Sequence, residues 1–331
     1  MADFRQYEQL ADRVLAHLRA QPHHSDTPAA LATRFEISNE QLSAALGTLR
    51  EWGYKLDVAP NAVRLLSAPD ILSATEIGFE LGTTVMGRSI YAYRSIGSTN
   101  DRAAELARAD EPEGTIVVAE EQTEGRGRFQ RQWHSPPQGG IYLSVLLRPP
   151  FAPDRAPGIS IMTGLALAET LDPYCPGQVR IKWPNDNLID SRKAVGILTE
   201  LSAEPGRVEY VIVGVGINVN MQSEDFLDEL KPIATSVRVV SGQSHSRVKL
   251  LQQFLRQMER EYELYCRGGL ASSRERLRRF SSLIGKRVTL TVGKRFKEGE
   301  VLDIDTNGAL VLRTAKGDET ITSGEVTIVK P

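Results

Sequence analysis

Cysteine is nearly absent from this 331-residue chain: only Cys175 and Cys266 occur. Two are too few for a disulfide framework and are not spaced as metal ligands, which points to a reducing, cytoplasmic home. Charge of one sign is lacking as well. Forty Lys and Arg against 42 Asp and Glu make no global field that would draw in nucleic acid or a membrane surface, so any such contact rests on a local patch. No apolar run is long enough to cross a bilayer. The stretch from Asp3 to Arg19 alternates charged and apolar residues, without the unbroken apolar core of a signal peptide. Internal repeats and low-complexity tracts are missing too. What is present is a globular composition, 41% hydrophobic and 25% charged, sufficient for two or three separate cores.

Leu10, Val14, Leu15 and Leu18 recur at helical spacing, Thr27 and Pro28 open a second helix, and Asn39 as N-cap leads into a third that ends at Gly53. The alternating stretch from Tyr54 to Leu66 reads as two strands turned at Pro60 and Asn61. Helix-turn-helix order followed by a hairpin makes residues 1–66 a winged helix, with 67–70 a linker. Residues 71–282 read as a mixed α/β domain. Strand runs are expected at 90–94, 115–121, 141–148, 180–183, 195–201 and 210–219, and helices at 99–107, 159–170 and 248–265. Over 283–331, short strands broken by Gly293, Gly299, Gly308, Gly317 and Gly324 suggest a β-barrel of about five strands.

Four stretches carry chemistry. The polar connection from Glu120 to Trp133 holds Gly125 and Gly127, where backbone can approach a ligand, and Arg126, Arg128 and Arg131, planar donors that match phosphate oxygens. No Gly-Lys-Ser/Thr follows, so this is not a Walker loop, and alone it also fits a solvated basic hairpin. In Ile181-Lys182-Trp183-Pro184-Asn185-Asp186, alternation turns Lys182 away from the face that buries Ile181 and Trp183. An ammonium pinned there calls for an anion, unless it is an exposed edge-strand lysine followed by a routine turn. Gly214 and Gly216 inside a strand suggest that a ring or another backbone packs on that face, or a bulge. Asn218, just beyond them, can read an adenine edge. Ser98, Thr99 and Asn100 open a helix; they serve as caps, or as compact partners for a neutral polar head such as a cyclic urea.

The motifs Gly97-Ser98-Thr99-Asn100, Gly125-Arg126-Gly127-Arg128, Lys182-Trp183-Pro184-Asn185-Asp186 and Gly216-Ile217-Asn218, in that order and spacing, resemble those of the biotin protein ligases. More narrowly, the chain resembles the bifunctional type that joins a winged helix to the ligase and represses biotin synthesis genes. The likeness covers nearly the whole chain. It implies a multidomain α/β fold: an N-terminal winged helix, a central domain related to class II aminoacyl-tRNA synthetases and a C-terminal SH3-like β-barrel. It implies formation of biotinyl-5'-AMP from biotin and ATP, with Mg2+ neutralising pyrophosphate, then transfer of biotin to a lysine of a biotin carboxyl carrier protein. Operator DNA of biotin synthesis genes is the second partner implied, pairing into a homodimer is common in the family, and no membrane is involved.

Carried over by residue, the resemblance implies that Ser98, Thr99, Asn100 and Gln122 surround the ureido ring. Arg126, Gly127 and Arg128 run along the biotin tail and phosphate, in one loop with Gly125 and Arg131 that is mobile in the family until ligand arrives. Lys182 holds the biotin carboxylate and α-phosphate and, with Arg128, is expected to be catalytic. Trp133 and Asn218 take the adenine, and Gly214 and Gly216, with Gly196 counted beside them, floor the pocket. Metal ligands stay unassigned, Asp186 being the one candidate to influence the ion. Two positions depart from the family pattern. Gln130 stands where a glycine is common, and Asn187 where an apolar residue would line the pocket wall. The third helix carries Arg50 as its one clear cation, fewer than phosphate contacts call for. Two other readings are a lipoate-type ligase, whose motifs are missing here, and a ligand-sensing regulator without ligase activity, against which Lys182 and the arginine loop speak.

Overall fold

The computed structural model describes residues 2–21, 26–292 and 295–329, in two units, Met1–Glu80 and Leu81–Pro331. The first contains α1 (Ala2–Ala20), α2 (Pro28–Phe35), α3 (Asn39–Glu51), the antiparallel pair β1 (Lys55–Ala59) and β2 (Ala62–Ser67), and α4 (Ala74–Gly78). Local chemistry sets the helix starts. Thr27 accepts from Ala30 N at 3.1 Å with Pro28 in the first turn. The third helix is capped by Ser38, not Asn39. Ser38 Oγ accepts from Gln41 N (3.2 Å) and Gln41 Oε1 from Ser38 N (2.9 Å), so a reciprocal pair three residues apart outcompetes the lone asparagine, which becomes the first helical residue. Leu10, Val14, Leu15 and Leu18 bury against Leu31, Leu42, Leu46 and Leu49. Residues 71–80, grouped by pattern with the catalytic domain, belong to this unit: Arg19 Nε donates to Glu76 of α4 at 3.1 Å.

The second unit is built on β3 (Ile90–Ile96), α5 (Thr99–Arg108), β4 (Ile116–Gln122), β5 (Gly140–Leu147), α6 (Pro157–Leu171), β6 (Val179–Lys182), β7 (Asp186–Ile189), β8 (Arg192–Glu204) and β9 (Arg207–Asn218). It continues through α7 (Val237–Ser241), α8 (Arg247–Gly268) and α9 (Arg274–Phe280). The seven strands form one sheet in the order β3-β4-β5-β9-β8-β7-β6, parallel only between β3 and β4. Alternation decides the faces. Val117, Leu146 and Ile212 bury under Ala103, Leu106 and Ala107 of α5, while Ile181, Asn187 and Ile197 meet Gly164 of α6 on the other side. Helix α6 is apolar all round and almost wholly buried. Strand β7 was not expected from the pattern. A routine turn over Asn185 and Asp186 is the alternative reading of this motif, yet Asp186 pairs with Lys182 and only Trp183, Pro184 and Asn185 turn.

Five more strands, β10 (Arg287–Val292), β11 (Arg295–Ile304), β12 (Leu310–Thr314), β13 (Gly317–Ile321) and β14 (Glu325–Ile328), form an antiparallel sheet ordered β13-β12-β11-β10-β14. Gly293, one of the glycines that signalled it, lies outside the described residues. Gly158 on α6 and Gly308 in the β11–β12 turn make the docking of this sheet possible. A Cβ on Gly158 would stand 2.1 Å from Tyr265 Oη and 2.8 Å from Asn307 O. Gly158→Ala is therefore expected to destabilise the protein by about 1–3 kcal/mol through overpacking, a fall of roughly 2–6 °C by differential scanning calorimetry for a unit of this size.

Candidate active site

A cavity of about 710 Å³ opens on the sheet face that carries the N-terminus of α5. It takes its walls from α5, the 125–133 loop, the β6–β7 turn, β8, β9 and β14. Of the fifteen residues the sequence nominates, all but Gly125 line it. Gly125 serves the loop from behind, since a Cβ there would be 2.7 Å from Trp133 O and 2.8 Å from Ser135 Oγ.

One end is polar and rigid. Ser98 caps α5 through Asp101 N (3.4 Å), and Thr99 donates to Gln122 Oε1 from both its amide (2.9 Å) and its hydroxyl (3.0 Å). Ser144 Oγ stands 2.8 Å from Thr99 Oγ1 and 2.6 Å from Asn100 Oδ1. The Asn100 oxygen can only accept, so the Ser144 proton goes to it. The Asn100 Nδ2 then donates to Glu200 Oε2 at 2.6 Å. Gly214 is what admits Asn100: a Cβ on it would lie 2.1 Å from Asn100 Oδ1. Gly214 thus seats a side chain, and the flat floor belongs to a different pair. Gly196 and Gly216 face each other across β8 and β9, and their Cβ positions would fall 2.8 Å from Trp133 Cζ3 and 2.3 Å from Trp133 Nε1. The ring foreseen over the strand glycines is the Trp133 indole. Its N–H is buried and meets no acceptor among the described residues. Asn218 Nδ2 is spent on Thr235 O (3.0 Å), which leaves the carbonyl end of its amide for any ligand.

The 125–133 loop folds back on itself, with Gly127 N donating to Arg131 O (2.7 Å) and Trp133 N to Gly125 O (2.9 Å). Its three arginines have different fates. Arg126 is clamped by both carboxylate oxygens of Asp101, one at 2.7 Å, and reaches Glu200 Oε1 at 3.3 Å. These partners hold the guanidinium above, and the Asp101 carboxyl below, their ordinary values, hydrogen bonding being the leading cause for each. Arg131, 70% exposed, pairs with Glu325 at 2.6 Å. Arg128 has no ion pair among the described residues. It donates to Asn185 Oδ1 (3.2 Å) and weakly to Gly324 O (3.5 Å), and burial pushes its guanidinium below the usual value despite Asp186 and Glu325 nearby. Phe129 and Gln130 at the tip both have φ of +57°, so the position where glycine is common holds a side chain in left-handed backbone, at about 1 kcal/mol or more. Gln130→Val, β-branched, is expected to open the loop and speed tryptic cleavage at Arg128 or Arg131 about tenfold, whereas Gln130→Gly leaves it no faster.

Lys182 is half-buried and lines the cavity, and its ammonium makes no ion pair or hydrogen bond with any described residue. Everything around it is fastened. The fully buried Trp183 indole donates to Gly308 O (2.9 Å), Pro184 O accepts from Ser160 Oγ (2.9 Å), and Asn185 Nδ2 donates to Ile197 O (3.0 Å). A cation on so well fastened a turn, with a second one, Arg128, lining the same cavity, can bind a dianion or two anions without first losing a protein partner. Asp186 is already taken by Lys193 at 2.8 Å. Asn187 corrects the expectation of an altered pocket wall: it is buried on the opposite face, donates to Gly164 O at 2.8 Å and does not line the cavity.

Sequence patterning missed Asp101, Ser144, Asn185, Lys193 and Glu200. Two of these had a signal. Ser144 is the single polar residue in the apolar strand Ile141–Leu147, and Glu200 shares the face of Gly196 by strict alternation along β8.

The model of the Biotin/lipoate A/B protein ligase family matches residues 92–218, and that of the Biotin protein ligase C terminal domain matches 283–329. The Bifunctional ligase/repressor BirA of Bacillus spizizenii is 39% identical over 302 residues, 88% of this chain and 93% of that protein. The protein of the same name from Escherichia coli is 32% identical over 300 residues, 86% and 90% of the two chains. Among solved structures, the biotin protein ligase from Aquifex aeolicus in complex with biotin and ATP superposes with a TM-score of 0.63 at 27% identity, covering 74% of this chain and all of that one.

Proposed function

This chain belongs to the biotin protein ligases, and from that premise we propose how its own residues carry out adenylation and transfer. The protein makes biotinyl-5'-AMP from biotin and ATP and passes the biotinyl group to a lysine of a biotin carboxyl carrier protein. A biotin carboxylate oxygen attacks the α-phosphorus of ATP, the bond to the β-phosphate oxygen breaks, and pyrophosphate leaves. The carrier amine then attacks the acyl carbon, and AMP departs with the bonding pair. What supports this reading most is the pair of cations, Lys182 and Arg128, that line one cavity and make no ion pair among the described residues. Lys182 bridges the biotin carboxylate and the α-phosphate, and Arg128 follows the charge that builds on the phosphate oxygens. Ser98, Thr99, Asn100 and Gln122 take the ureido ring, Trp133 stacks on the adenine over Gly196 and Gly216, and Asn218 offers its carbonyl to it.

Magnesium enters with ATP as part of the substrate. No three-residue cluster of His, Cys, Asp or Glu among the described residues fits a resident ion, and Asp186 is paired with Lys193, so the ion would ride chiefly on phosphates. The ligase reading is tested by incubating protein with labelled ATP, magnesium and either biotin or lipoate. Pyrophosphate release with biotin is expected, and release with lipoate alone would reassign the substrate.

Residues 1–66 serve as a winged helix that binds operator DNA of biotin synthesis genes, with α3 as the reading helix and β1–β2 as the wing. Asn39, Glu40, Ser43 and Arg50 are exposed on α3, and Lys55 and Arg64 on the hairpin. So few cations predict a shallow salt dependence, and Arg50→Ala should lower the slope of log affinity against log salt by about 1 in a gel-shift titration. Absence of any shift, with or without biotinyl-AMP, would remove DNA from the partners. Pairing into a homodimer is a further element of this proposal, checked by sedimentation with and without the adenylate.

A further inference from the structure

Arg126 and Asn100 lie 26 positions apart in the chain, yet one carboxylate holds both. Glu200 Oε2 accepts from Asn100 Nδ2 at 2.6 Å, and Glu200 Oε1 accepts from Arg126 Nη2 at 3.3 Å. Asp101, the neighbour of Asn100 on α5, grips the same guanidinium with both oxygens. The base of the arginine loop is thus tied, through two acidic side chains, to the residue whose amide orientation defines the polar end of the cavity. That orientation has a single solution. Ser144 must give its proton to Asn100 Oδ1 (2.6 Å), so the NH2 of Asn100 has to face Glu200.

We propose that Glu200, seconded by Asp101, is a positioning residue that couples occupation of the ring site to retention of the adenylate, with Arg126 acting on the loop and not on the phosphate. This rests on the ligase reading above. The chemistry follows from charge accounting. A guanidinium paired with two carboxylates has little left for a phosphate, whereas neither Lys182 nor Arg128 makes an ion pair among the described residues. A ligand that hydrogen-bonds Asn100 stiffens the amide. The stiffened amide fixes Glu200, and a fixed Glu200 holds Arg126 and the start of the loop shut. A substrate without a polar ring forfeits that tie, so the coupling adds discrimination at the retention step.

The test uses the full-length protein with Glu200→Gln, Asp101→Asn, Arg126→Ala and the pair Glu200→Gln/Arg126→Ala. Glutamine keeps one acceptor and the side-chain volume but puts an NH2 beside either Asn100 or Arg126. The first readout is escape of biotinyl-AMP, followed as dissociation of preformed adenylate and as labelling of lysines on a bystander protein. Glu200→Gln and Asp101→Asn should each raise escape about tenfold. In the Arg126→Ala background, Glu200→Gln should change escape less than twofold while still weakening biotin binding through Asn100. Full additivity, or wild-type escape from Glu200→Gln, would overturn the coupling. The second readout is ligand-independent: trypsin should cut after Arg128 and Arg131 several times faster in Glu200→Gln and Asp101→Asn than in wild type, with melting temperatures alike. Equal cutting overturns the clamp. A wild-type protein that releases no pyrophosphate with biotin fails the ligase reading instead, and the trypsin result still decides the clamp.

Discussion

Lys182→Ala is expected to lower the rate of biotinyl-AMP formation about 10³-fold and to leave the melting temperature unchanged. Removing a single preorganised donor from an acyl-transfer site costs about 10²–10³ in rate. Here the lost group is a full charge, proposed to meet both the nucleophilic carboxylate and the α-phosphate, so the upper end applies. Stability should not suffer, because the Lys182 ammonium has no partner to strand among the described residues. Pyrophosphate release under single-turnover conditions measures the first effect and calorimetry the second. Lys182→Arg keeps the charge on a wider, planar head and is expected to recover only part of the rate. Unchanged adenylation by Lys182→Ala would take this residue out of the chemistry.

The glycines give an effect nearly as large, and one that separates the two substrates. Neither Gly214 nor Gly216 has positive φ, so alanine at either site is resisted by a neighbour and not by the backbone. At Gly216 the new methyl would sit 2.3 Å from Trp133 Nε1, and at Gly214 it would sit 2.1 Å from Asn100 Oδ1. Both distances are well inside contact, and overpacking of this kind costs about 1–3 kcal/mol, or roughly 5- to 150-fold in affinity. Gly216→Ala should weaken ATP and spare biotin, since the indole is what moves. Gly214→Ala should weaken biotin and spare ATP, since the amide moves and its bonds to Ser144 and Glu200 break. Isothermal titration with biotin and with a non-hydrolysable ATP analogue reads each separately. If both variants weaken the same ligand, the division of the cavity into a ring end and an adenine end is wrong.

Two features of the cavity were not to be had from residue patterns. The first is the split between the glycines. A strand with Gly214 and Gly216 announces a close approach, but an Asn100 amide over one and a Trp133 ring over the other depend on where α5 and the loop come to rest. The second is the face occupied by Asn187. Its place after Lys182-Trp183-Pro184-Asn185-Asp186 suggests the pocket wall, yet the three-residue turn and the pairing of Asp186 with Lys182 send it to the opposite side, against α6. A tight turn changes which parity faces in, and turn length is weakly encoded in a Pro-Asn-Asp string. Ser38 in place of Asn39 as the helix cap is the same lesson at short range, decided by a glutamine three residues on.

By itself the sequence determined what is local. The order of helices and strands, the apolar faces that bury them, and a loop and a turn crowded with cations next to conformationally free positions are all properties of neighbours along the chain. It also determined the family, because four short motifs in register leave little room for coincidence. Tertiary structure alone decided which cation is available. Arg126, Arg128 and Arg131 stand at equal standing in the sequence, but Asp101 and Glu200 pair with the first and Glu325 with the third, while the second makes no ion pair among the described residues. Those carboxylates come from 25, 74 and 194 positions away. Coulomb attraction falls with distance in space and is indifferent to distance along the chain, so only the folded chain shows which charge is left for a substrate.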